Sequence, residues 1–86
     1  MSLLPIGTIV SLSNATKKIL IIGYLPQEIG SDEVYDYSGV PYPDGLIDSK
    51  RLLLFNHKQI NRIDHLSLDD QETKDFIKKV EKIKED

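Results

Sequence analysis

Two histidines, His57 and His65, are the side chains best suited to moving a proton near neutral pH in this chain, because imidazole changes charge in that range. They lie eight residues apart, without a cysteine in the chain and without His-x-x-x-His spacing, so they make no recognisable metal site. Asp44 and Asp48 flank Gly45, but the run of oxygen ligands at odd spacings and the closing Glu of a calcium loop are missing. Turn formation explains Asp44-Gly45 better. The serines sit in no nucleophile-elbow pattern, and the five glycines do not make a phosphate-binding loop. No catalytic residue, metal ligand or cofactor is assigned, and the chain is expected not to be an enzyme. The alternative is a small ligand-binding protein or enzyme using His57 with Asp44 or Asp48, which requires a pocket where these groups converge.

The densest chemistry lies elsewhere, in residues 34–46, where three of the four tyrosines and two of the four prolines meet an Asp-Gly turn signal. Tyr35, Tyr37 and Tyr42 could stack single-stranded nucleic acid. Their neighbours Asp32, Glu33, Asp36, Asp44 and Asp48, with no Lys or Arg between Lys18 and Lys50, would repel a phosphate backbone. An aromatic surface beside a stiff proline loop suits protein recognition better. The expected contact residues are Tyr35, Tyr37, Val40, Tyr42 and Pro43. The competing explanation is that the tyrosines cover a small core.

Composition narrows the class. At 86 residues with 40% hydrophobic and 29% charged side chains, the chain has the make-up of one small globule, expected as a single domain over residues 1–86. Its limited core leaves room for a partner or a homodimer to contribute stability. The formal charge of -3 gives no general attraction to nucleic acid, and no apolar run approaches the length of a membrane span. The absence of cysteine suits a reducing compartment, so the expected location is cytoplasmic, with no membrane or nucleic-acid partner.

In chain order, Leu4–Leu12 reads as a strand with Val10 and Leu12 on one side, whereas Met1-Ser2-Leu3 is left uninterpreted. Ser13–Thr16 makes a turn into Lys17–Leu25, whose aliphatic run implies a central strand buried on both faces. Residues 26–31 read as an exposed loop and Glu33–Val40 as a third strand with an aromatic face, ended by a bend at Gly39. Pro41 and Pro43 argue against a central strand there, and a trans Tyr42-Pro43 bond is expected. Leu52–Phe55 is a fourth strand, Asn56–Gln59 one helical turn and Ile60–Leu66 a fifth strand. Over 69–84, Phe76, Ile77, Val80 and Ile83 mark an amphipathic helix that Ser67 or Asp69 could cap. The expected class is α+β: a small bent antiparallel sheet or SH3-like barrel of about five strands within residues 4–66, with one C-terminal amphipathic helix.

The segments Leu4–Val10, Lys17–Gly23, Tyr35–Gly45 and Phe55–Ile60 together resemble a family of small proteins from Gram-positive Firmicutes that carry a domain of unknown function. The resemblance departs at Asp44, where Glu is common, and at Tyr24. It implies genes near type VII secretion components and their exported toxins. On that basis the chain is expected to be a non-enzymatic adaptor, chaperone or targeting factor whose partner is an exported toxin or secretion component. The resemblance brings no catalytic residues with it.

Overall fold

A computed structural model describes residues 2–85; Met1 and Asp86 lie outside the described residues. Five strands follow one another, β1 Ile9–Leu12, β2 Lys18–Tyr24, β3 Tyr37–Tyr42, β4 Leu53–Phe55 and β5 Ile60–His65, and then helix α1, Gln71–Glu85. All pairs are antiparallel in the order β4-β3-β2-β1-β5. The fold is α+β, an open sheet with one C-terminal helix, and β2 is its central strand.

The sheet is strongly bent, and connectivity shows why. β4 and β5 lie on opposite edges, four interstrand gaps apart, which in a flat sheet is about 19 Å. Only residues 56–59 join them, largely as the 3₁₀ turn His57–Gln59, and such a turn rises only about 2 Å per residue. Register shifts between Ile21 and Gly23 in the β2–β3 pair, and twice along β1–β5, supply the bulges that let the strands curl. Gly39 lies inside β3 rather than ending it. A Cβ there would stand 2.5 Å from Ile19 Cγ2 and 2.9 Å from the Leu20 carbonyl oxygen, so the residue permits close strand packing.

The concave face holds the core. Val10, Ile19, Ile21, Tyr37 and Phe55 are buried there against Ile77 and Val80 of α1 and Leu3 of the N-terminal segment. Leu3, left uninterpreted from sequence, is thus a core residue, and its backbone N–H donates to Glu81 Oε2 at 3.0 Å. No helix among the described residues covers the other face. Leu20 and Val40 pair across it, and Ile22 is 41% exposed. The aliphatic run of β2 is therefore not buried on both faces, because one helix covers one face only.

Three local expectations change. β3 runs on through Pro41, which pairs with Ile19 beyond the point where β4 stops at Leu53, so its missing donor faces no neighbouring strand. The Tyr42-Pro43 bond is cis, an isomer that the tertiary amide of proline makes accessible. The helix is capped by Asp70, not Ser67 or Asp69: Thr73 N–H donates to Asp70 Oδ1 at 3.0 Å. That bond holds the Asp70 carboxyl below its ordinary pKa.

Candidate functional site

The polar side chains converge where β2, β3 and β4 meet α1. Tyr37 is fully buried and stacks on Phe55, with ring centroids 5.2 Å apart. Its hydroxyl accepts from Leu4 N–H at 2.9 Å and lies 2.7 Å from His57 Nδ1. With one acceptor role already filled by Leu4, the single hydroxyl proton is best used toward Nδ1, which places the imidazole proton on Nε2. Tyr24 donates to the Leu4 carbonyl at 2.5 Å. Two phenols thereby grip both backbone groups of one N-terminal residue.

Asp36 completes the cluster. Its carboxylate accepts from His57 N–H at 2.8 Å and pairs with Lys84 of α1, while its own N–H donates to Asn56 Oδ1 at 3.1 Å. Burial pushes the Asp36 carboxyl up, but the Lys84 ammonium and the His57 N–H outweigh it and hold the group below the ordinary carboxylate value. Burial raises the Tyr24 phenol to about 12 and Tyr37 further still. Both phenols stay protonated and act as hydrogen-bonding groups, not bases. No buried side-chain nitrogen or oxygen among the described residues lacks a partner. The cluster is a clamp joining the N-terminal segment, the sheet and the helix end, and none of the five hollows described on the surface is lined by His57, Asp36 or Tyr37.

His57 is not brought to the carboxylates expected from sequence. Asp44 pairs with Lys17 at 2.8 Å. Asp48 accepts from Lys50 N–H at 2.8 Å and so caps the short turn Ser49–Arg51. His65 is exposed on the edge strand β5. No grouping of His, Asp and Glu among the described residues could hold a metal ion.

The five expected contact residues do not share a surface. Tyr37 belongs to the core, and Val40, 3% exposed, is buried under the opposite face of β3. Cross-strand packing claimed both, since each lies inside the sheet. Tyr35 is half-buried, its hydroxyl on Glu33 at 3.1 Å and on Glu28 at 3.5 Å. Tyr42 and Pro43 are exposed at the far end of β3.

Exposed apolar surface gathers instead along one flank of α1. Phe76 and Ile83, read from sequence as part of the helix's apolar stripe, are 55% and 65% exposed. Seven residues apart, they lie about 10 Å apart along the axis and about 20° apart around it. Phe76 borders a hollow of about 390 Å³ with Ile6, Tyr24 and Leu68. Ile83 borders another of about 420 Å³ with Leu25, Val34 and Tyr35. The helical period marks a stripe wide enough for both pairs, but only tertiary placement decides that Ile77 and Val80 meet the sheet.

Among the described residues no helix is long and apolar enough to cross a membrane. Comparison with curated proteins finds no significant match, and comparison with solved structures finds none. One family model does match, and it covers residues 3–76, a span that contains the sheet, the clamp residues other than Lys84, and the start of α1. The chain therefore belongs to the DUF4176 family, a domain of unknown function.

Proposed function

We propose that the protein is a non-enzymatic binding module that recognises another protein through the apolar band on α1 and the adjoining end of the sheet. One observation carries this reading: fourteen large apolar side chains are exposed among the described residues, against nine in the core, and the band of Ile6, Leu68, Phe76, Ile83 and Val34 collects five of them beside two hollows. Exposed apolar area rimmed by charged groups marks interaction surfaces in small soluble proteins. Of the five contact residues expected from sequence, Tyr35 adjoins this band. Tyr42 and Pro43 would be a separate patch.

The resemblance to the Firmicutes family extends the proposal: the partner is an exported toxin or another component of type VII secretion, met in the cytoplasm, and the protein acts as its adaptor or chaperone. The test is affinity capture with the tagged protein from lysate of its own organism, with partners identified by mass spectrometry. A Phe76→Asp/Ile83→Asp variant that stays folded is expected to lose the partner. Undiminished recovery of every partner by that variant would refute the proposed surface.

A further inference from the structure

Residues 2–5 lie in no strand or helix, yet Leu3 is buried among the core side chains. Side chains hold the segment there. Leu3 N–H donates to Glu81 Oε2 at 3.0 Å, Leu4 N–H donates to the Tyr37 hydroxyl at 2.9 Å, and the Leu4 carbonyl accepts from Tyr24 at 2.5 Å. The first backbone bond from this end of the chain to the sheet comes at Gly7, whose N–H donates to the Ile21 carbonyl at 2.8 Å. A strand leaves its ladder only by breaking several bonds together, whereas a segment held by side chains opens locally when one holder changes.

Tyr37 is the holder whose bonding depends on a proton elsewhere. Its hydroxyl is fully buried and has two hydrogen-bond partners among the described residues: Leu4 N–H, which donates to it, and His57 Nδ1, 2.7 Å away, which takes its proton. The His57 ring is only partly buried, so protons reach it, and imidazole changes charge between about pH 5 and 8. Once protonated, Nδ1 cannot accept. The Tyr37 oxygen then meets two donors, Leu4 N–H and Nδ1–H, and its own proton is left without an acceptor in a buried site. Lifting the segment removes the conflict, because Leu4 N–H departs and Tyr37 can accept from Nδ1–H while donating to water.

The other charged groups around the ring leave this balance in place. Asp36 accepts from His57 N–H and favours imidazolium, and Lys84 of α1 pairs with Asp36. Neither bonds to residues 2–5, so both act on the closed and open forms alike. Lys58, next in the same turn, is exposed. Tyr24, its phenol raised to about 12 by burial, keeps its proton throughout. Glu81 holds Leu3 as a carboxylate, a group that ordinarily takes up protons only in stronger acid than imidazole does. We infer that residues 2–5 are a strap, and that protonation of His57 in mild acid releases it and uncovers the apolar seat of Leu3 beside Ile77.

The test is amide hydrogen exchange of the full chain by NMR, read as protection factors so that the pH dependence of the exchange chemistry cancels. Between about pH 7.5 and 5.5, to either side of the ordinary imidazole value, Leu4 N–H should lose protection about tenfold or more, as expected for one buried donor left unpaired. Ile21 N–H, bonded to the Thr8 carbonyl at 2.9 Å, should keep its protection. The loss at Leu4 should follow the titration of the His57 ring protons in the same samples. In His57→Gln, whose amide oxygen accepts from Tyr37 without titrating, Leu4 protection should stay level. Leu4 protection that is unchanged in the parent, that follows His65 instead, or that falls equally in His57→Gln overturns the inference.

Discussion

Asp36 and Ile29 are seven residues apart, yet they belong to opposite kinds of environment. Asp36 and its neighbour Tyr37 are buried, with partners from the N-terminal segment, from α1 and from the residues after β4. Ile29, by contrast, is wholly exposed and its carboxylate neighbours are in no ion pair among the described residues. The segment that looks most like chemistry in sequence is spent on holding the fold together. Surface free for a partner lies where the sequence looks plain, on an exposed loop and a helix flank.

If the clamp is structural, damage there should cost stability in proportion to burial. Tyr37→Ala removes the largest fully buried side chain and is expected to lose about 3–5 kcal/mol by urea denaturation, enough to unfold much of a small domain. Gly39→Ala forces a methyl group against Ile19 and the Leu20 carbonyl, for about 1–3 kcal/mol in the same assay.

Asp36 makes the clamp pH-sensitive. Its carboxyl is held below the ordinary value in the folded state, so its contribution is present above the unfolded pKa of about 4 and is lost as pH falls through the folded value. Asp36→Asn should lower the urea midpoint at neutral pH by an amount worth about 1 kcal/mol, since Lys84 is partly exposed. It should also flatten the decline of that midpoint in acid. The smallest effect belongs to the other region. Ile29→Asp should leave stability within about 0.5 kcal/mol of the parent, and a large loss would mean that the loop is packed after all.

Much of the architecture was legible because period and burial agree. The alternation around Val10, the aliphatic centre of β2 and the i, i+4 spacing of α1 each point to one element. The terminal turn before β5 was also legible, as a polar break between two apolar runs. Legibility fails where tertiary placement chooses between equivalent residues. Tyr35 and Tyr37 read alike, but only Tyr37 faces Phe55 across β3–β4. His57 reads as a candidate base, yet its partner is the Tyr37 phenol, twenty residues away. Leu3 belongs to the core only because Glu81 and the helix hold the N-terminal segment down. Ile29, by contrast, lies in the stretch 26–31 that proline and glycine mark as an exposed loop, and it is exposed.

The most direct test measures partner binding by two variants side by side, each first shown to be folded by circular dichroism. Phe76→Asp alters the apolar band, and His57→Gln alters the clamp while offering Tyr37 an amide oxygen in place of Nδ1. The account expects Phe76→Asp to lose the captured partner at least about tenfold in affinity and His57→Gln to bind as the parent does. The reverse pattern, with Phe76→Asp binding normally and a stable His57→Gln failing, would place function in the polar cluster and contradict the account.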